Sequence, residues 1–299
     1  MIVTLLQQLL NGLTLGAVYA LVAIGYTLVF GVARLIFFAQ GDLSMVAAIV
    51  VSIMLRVTAP ALGTGVGAAA LAITVATGAT VAVALLSERF ALRPLRRAPK
   101  TKQLVSSLGV MLVLQNVVYV TIGSEAMPFP ALLPETTWRW GELTVTPVRL
   151  VVLATAGGVM AGVWFLVSRT SLGLLIRAVA DSEQNAARTG VDRDRTVQWT
   201  FALAASVATA AGVMLALFDT VVRYDMGFLP GIKGFTAAVL GGLGSVPGAV
   251  VGGLLLGVVE ALAAGYVSSD YRHVVAYAVL ILVLVFRSRG LLGKSRTAS

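Results

Sequence analysis

The sequence predicts an all-α polytopic membrane protein, on three observations. Of its 299 residues 58% are hydrophobic and only 12% charged, with a mean hydropathy of +0.94, whereas soluble domains carry about 25% charged residues. Apolar runs of bilayer-spanning length recur from end to end. The cations between them are gathered into two loops and a tail. No stretch outside the runs is long enough for a core of its own, so residues 1–299 are predicted to form a single transmembrane domain.

The net charge of +9 does not point to nucleic acid, because the cations alternate with apolar spans. That is the pattern by which membrane proteins set their orientation. The absence of cysteine excludes disulfides, thiol catalysis and thiolate metal sites. The N-terminus MIVTLLQQLLNGL has no basic region, and its apolar run outlasts a signal peptide, so it is expected to stay as a helix.

Spans are predicted at about 5–30, 43–57, 61–86, 104–122, 149–167, 197–218 and 273–287. The region 228–264 is long enough for a short span and a full one, broken at Gly241-Gly242-Leu243-Gly244-Ser245-Val246-Pro247-Gly248. Loop 87–103 carries Arg89, Arg93, Arg96, Arg97, Lys100 and Lys102 against Glu88, and the tail carries Arg287, Arg289, Lys294 and Arg296. Both are expected in the cytoplasm. Loop 123–147, with Glu125, Glu135 and Glu142 against Arg139 and with Trp138 and Trp140 as interface residues, is expected outside. The N-terminus is then out and the C-terminus in. Seven crossings with a re-entrant hairpin satisfy that parity, and so do nine with a short span at 228–243. The segments Gly31–Ala48 and Gly241–Gly257, each a helix, a Gly-containing break and a small-residue helix, leave an internal duplication open.

Polar groups at membrane depth mark the candidate path. Gln7, Asn11 and Thr14 form one stripe on the first helix, with Gly12, Gly16 and Ala20 beside it as a close-packing face. The stripe faces either a path or another helix. Gln40-Gly41-Asp42 breaks the apolar stretch 11–48 and is placed at the end of the first helix. A carboxylate at that depth costs about 2.5–3.5 kcal/mol on insertion scales, so Asp42 either orients a path or caps the next helix through the amides of Ser44 or Met45. Glu260 follows Gly253 and Gly257 on one helix face and so points into a packed seam. Gln7, Asn11, Gln40, Asp42, Gly241, Gly242, Gly244 and Glu260 are the candidates for a translocation path or gate. His273, beside Arg272 at the start of the last span, reads as an interfacial anchor.

The polar segment 168–195 holds a short helix, Ser182–Thr189, with Asp181 as N-cap, Gln184 at N3 and Gly190 as its stop. In the tail, Gly290-Leu291-Leu292-Gly293-Lys294-Ser295 evokes a phosphate loop. Ser288 stands where the spacing needs a glycine, so no nucleotide site is expected on this chain.

In this order Asn11-Gly12-Leu13…Gly16…Tyr19-Ala20-Leu21…Gly25, Phe38-Ala39-Gln40-Gly41-Asp42, Glu183…Ala186-Ala187…Gly190, and Gly241-Gly242-Leu243-Gly244-Ser245…Pro247-Gly248-Ala249…Gly252-Gly253 resemble the LivH-type permease subunits of bacterial branched-chain amino acid ABC importers. The resemblance runs over nearly the whole chain. It implies a type II-like importer transmembrane domain with broken or re-entrant helices, in the bacterial cytoplasmic membrane. It implies a second, identical or homologous permease subunit, two cytoplasmic ATPase subunits that carry the ATP, and an extracellular or periplasmic substrate-binding protein. No cofactor is implied on this chain. Asp181, Glu183, Ala186, Ala187 and Gly190 would then form the element that docks on the ATPase, as the EAA-type loop of importer permeases does. Gln40 and Asp42 depart from the His and Glu that familiar members often carry, which leaves urea, short amides and other amino acids open as cargo. ABC permeases for sugars or nucleosides and ion-coupled secondary transporters are the rival readings.

Overall fold

The computed structural model describes residues 2–62, 65–96, 98–132, 137–140, 143–266, 268, 272–286 and 290–292. Arg97, Glu135, Glu142, Arg287, Arg289, Lys294, Ser295 and Arg296 lie outside them, as do the side chains of Glu183 and His273. The helices are α1 (Ile2–Ala33), α2 (Gln40–Leu62), α3 (Val66–Ser87), α4 (Lys100–Ile122), α5 (Pro147–Arg169), α6 (Ser171–Asp181), α7 (Glu183–Arg188), α8 (Arg193–Asp219), α9 (Phe228–Gly241), α10 (Val246–Tyr266) and α11 (Arg272–Phe286). A π turn (Glu88–Leu92) and a 3-10 turn (Arg93–Leu95) prolong α3. Among the described residues seven helices are long and apolar enough to cross a membrane, and α9 is a shorter apolar one.

Helix α1 is the axis of the fold. From Ala17 to Val29 it is almost wholly buried, and it packs antiparallel on α10 through glycines of both helices. A Cβ at Gly257 would lie 2.3 Å from Gly16 Cα, one at Gly253 2.4 Å from Ala20 Cα, and one at Gly12 2.7 Å from Val258 Cα. This backbone-to-backbone seam is the use of small residues expected where lipid supplies no hydrophobic drive between helices. Helix α8 lies on α2 the same way, with Gly212 against the Ser44 carbonyl. Large apolar side chains of α3, α4 and α5 such as Leu71, Val120 and Phe165 are exposed, the surface such helices offer to lipid or to another subunit.

Two ends of the molecule can be told apart by what they join. At one, Gln7 meets Thr144, strand β1 (Met127–Pro128) pairs with β4 (Val221–Val222), and Arg56 donates to the Pro128 carbonyl. Strands β2 (Trp138–Trp140) and β3 (Leu143–Val145) form a hairpin in the same loop. At the other end, Arg93 and Arg96 pair with Asp194, and Arg96 with Glu88. Arg34 there donates to the carbonyls of Ala180 and Asp181 at 3.2 and 3.4 Å. Loops 87–103 and 168–195 therefore share one face, opposite loop 123–147. Helix α9 runs from the β4 end to a turn against the start of α10, where a Cβ at Gly241 would lie 1.9 Å from the Gly248 carbonyl. It has 14 residues, about 21 Å at 1.5 Å per residue.

Three local expectations need correction. The element Gln40-Gly41-Asp42 does not end the first helix; it opens the second. Helix α1 stops at Ala33 because Arg34 turns left-handed (φ 52°), and residues 34–39 form the break. Asp181 is the last residue of α6, so the N-cap of the short helix is Ser182, whose Oγ accepts from the Asn185 amide at 3.3 Å. The segment after Arg169 also holds two helices, not one: α6 precedes α7, capped by Thr170.

Candidate functional site

A cavity of about 890 Å³ lies among α1, α4, α8, α9 and the segment 219–226. Its wall is apolar where Leu15 and Val18 of α1 and Leu215 and Phe218 of α8 face it, and polar at Tyr19, Gln115 and Lys233 and at the carboxylate of Asp219, the last residue of α8. The mouth carries the ion pair Arg223–Asp225, at 3.1 Å. Non-helical backbone at membrane depth is tolerated where it lines a cavity or is held by protein, and residues 221–227 meet that condition.

Lys233 is the residue the sequence reasoning passed over. It sits in the apolar run Phe228–Gly241, 3% exposed, with its Nζ 2.5 Å from Glu260 Oε1 and 3.0 Å from Tyr19 Oη. Glycines place it: a Cβ at Gly234 would meet Val22 Cγ1 at 2.4 Å, and Gly231 lies on the Gly41 backbone. Glu260 thus points into the seam as expected, and its partner is a lysine on α9. The available signal was an ionisable residue in an apolar run, the rule that had flagged Glu260.

Asp42, in the first turn of α2, is 1% exposed. Its Oδ1 accepts from Gln115 Nε2 at 2.9 Å, while Oδ2 is buried without a hydrogen-bond partner among the described residues. The amides of Ser44 and Met45 do not bind it. It ties α2 to α4, and Gln115 in turn faces the cavity. Leaving a buried carboxylate unpaired costs about 1–3 kcal/mol, whereas removing both partners is close to neutral. Gln115→Leu is therefore expected to lower the thermal unfolding midpoint of the purified protein, and Asp42→Leu/Gln115→Leu to recover most of the loss. A double variant no better than Gln115→Leu would mean that the loss does not come from leaving the Asp42 carboxylate unpaired.

The other path candidates are engaged elsewhere. Gln7 holds Thr144 through both amide atoms, and Asn11 contacts Gln7 and Gln8. Neither lines the cavity. Gln40, fully buried, lies over Gly25 and donates to the Ala204 carbonyl at 3.0 Å, bracing α1 against α8. Gly241 packs on Gly248, and Gly242 and Gly244, at φ 105° and 95°, make the α9–α10 turn. The tail closes on that turn, with the Leu291 and Leu292 amides donating to the carbonyls of Leu240 and Gly241.

At the opposite end the polar segment presents α7. Ala186 is buried against its own chain, while Ala187 and Gly190 are exposed. Gly190 stops the helix at φ 80°, its amide donating to the Ala187 carbonyl at 3.1 Å. Asp181 is exposed, and its carbonyl and that of Ala180 receive Arg34. The loop that ends α1 is thereby joined to the segment that precedes α7.

The family model described as "Branched-chain amino acid transport system / permease component" matches residues 8–284. The chain belongs to this family. It is 38% identical to the high-affinity branched-chain amino acid transport system permease protein LivH of Escherichia coli K12, over 97% of this chain and 96% of that one. Identity to BraD of Pseudomonas aeruginosa, a permease protein of the same description, is also 38%, over 97% and 96%. A protein described as a probable LivH from Methanocaldococcus jannaschii is 26% identical over 91% and 88%. This branched-chain permease family supplies the setting for the cavity and for α7.

Proposed function

We propose that this chain is the membrane permease subunit of an ABC importer that moves branched-chain or related amino acids into a bacterial cell. Membership of the family carries that reading, and the largely apolar cavity with a buried ammonium at Lys233 fits an amino acid better than a sugar. A second permease subunit, identical or homologous, would complete the path. Two cytoplasmic ATPases would hydrolyse ATP, and an external binding protein would capture the solute. On this reading the chain itself carries no nucleotide site, and α7 with its flanks (Asp181, Glu183, Ala186, Ala187, Gly190) docks on an ATPase. The path runs through the cavity and past Lys233 and Glu260. In a type II-like arrangement affinity resides largely in the binding protein, so its titration against leucine, isoleucine, valine, urea, acetamide, ribose and adenosine names the cargo. Binding of a neutral amide or a sugar alone would overturn the amino-acid reading.

Orientation follows from charge. The end that holds Arg34, Arg93, Arg96 and α7 is assigned to the cytoplasm and the end with loop 123–147 to the exterior. The chain has no native cysteine, so Ser124→Cys and Ser295→Cys report the two sides without background. Ser124→Cys is expected to react with an impermeant maleimide in intact cells, and Ser295→Cys only after permeabilisation. The reverse pattern would invert the assignment.

A further inference from the structure

We infer that the ammonium of Lys233 is the docking point for the carboxylate of the transported solute, held by Glu260 until the solute displaces it. This deepens the proposed function and rests on it.

The pair is hard to explain as a stabiliser. A buried ion pair is weak support for a fold, since hydrophobic side chains of similar volume often do as well or better. Its cost is nonetheless met here with care. Gly231 and Gly234 bring α9 against the backbone of Gly41 and the side chain of Val22, which sets the direction of Lys233 between them. The Nζ lies 2.5 Å from Glu260 Oε1 and 5.2 Å from the centre of the Tyr19 ring. Ionisable groups at membrane depth mark solute and ion pathways by default.

The pair is also asymmetric. Lys233 and Tyr19 line the cavity and Glu260 does not. Arg223, the other cation on the described lining, is half exposed at the mouth and paired with Asp225. A solute that reaches the inner wall therefore meets one buried positive group, beside the aliphatic surface of Leu15, Val18 and Leu215. An α-amino acid with a branched side chain matches both. Its carboxylate can take over the ammonium that Glu260 now holds, as a charge-assisted hydrogen bond. Urea, amides, sugars and nucleosides carry no anion to make that exchange. Because Lys233 is on α9, Glu260 on α10 and Tyr19 on α1, the exchange loosens one tie between α9 and α10 at the moment the solute is in place.

The test uses the whole complex, with both permease subunits, the ATPases and the binding protein, in proteoliposomes with ATP inside and labelled leucine as the probe. Glu260→Gln keeps the ammonium but leaves it without its counter-ion, so its uptake per assembled complex should fall, and by less than that of a variant that lacks the ammonium. Lys233→Gln/Glu260→Gln replaces the pair by neutral hydrogen-bonded amides. Its uptake should fall about ten- to a hundredfold, the range of a hydrogen bond to a charged group. Equal uptake in the two variants, high or low, would overturn the inference, because the ammonium is what distinguishes them. A double variant that fails to co-purify with the ATPases while Glu260→Gln assembles would also count against it, since a neutral pair should pack at least as well. If the wild-type complex imports neutral solutes and no amino acid, the cargo reading has failed. If it imports leucine and ignores the double substitution, only the carboxylate docking has.

Discussion

Gly257→Ala is expected to be among the most damaging single-methyl changes available in this chain. The added Cβ would sit 2.3 Å from both Gly16 Cα and Gly16 N and 2.4 Å from the Gly12 carbonyl oxygen, all backbone atoms of the most buried helix. No rotamer relieves such a contact; α1 and α10 must separate. Overpacking of this kind costs about 1–3 kcal/mol, occasionally more, and here it also shifts Glu260, three residues further along the helix. Gly78→Ala in α3 is the matched control, since a Cβ there meets nothing within 4 Å, and the change should be neutral or gain up to about 1 kcal/mol. Thermal unfolding of the detergent-purified variants checks both. Equal midpoints would mean that α1 and α10 do not pack through these glycines.

Gly190→Pro is expected to break coupling without breaking the membrane fold. Gly190 has φ 80°, and proline holds φ near about −65°. Proline also removes the amide that donates to the Ala187 carbonyl, and it restricts Thr189, whose backbone now sits at φ −90°, ψ 9°. The end of α7 must therefore be rebuilt, while every spanning helix is untouched. ATPase subunits should be lost from the purified complex or hydrolyse ATP without uptake, and the unfolding midpoint should stay near wild type. Gly190→Asn, which tolerates the left-handed region better than other residues, should retain most of the coupling. Full ATPase association together with normal uptake in Gly190→Pro would exclude α7 as the docking element.

The spans and the glycine seam were legible in the sequence, because spacing on a helix face is local information. Glu260 was placed correctly from Gly253 and Gly257 alone. Its partner was not, since the apolar average over Phe228–Gly241 conceals a single lysine. The N-cap slipped by one residue because Asp181 and Ser182 are both good caps, and only the backbone decides which one turns. Residues 34–39 defeated boundary placement for a different reason: the left-handed residue that ends α1 is an arginine, where a glycine would have announced the stop. The roles of Gln7 and Gln40 were out of reach altogether. Gln7 is held by Thr144 and Gln40 by Ala204, far along the chain, and nothing in local sequence names such partners. Loop 168–195 was read as one short helix because α6, with Gly173, Ile176 and Val179 buried and Leu174 exposed, is amphipathic at too short a length to stand out beside the spans.

On the proposed function this chain forms a solute path driven by ATP hydrolysed on partner subunits. Uptake of labelled leucine into proteoliposomes measures it directly, comparing the full complex with ATP inside, the same vesicles with a non-hydrolysable analogue, and this permease alone under an imposed proton or sodium gradient. Accumulation is expected in the first case only, dependent on added binding protein. Accumulation by the permease alone under an ion gradient, without ATPase or binding protein, would contradict the proposed function and make the chain a secondary transporter.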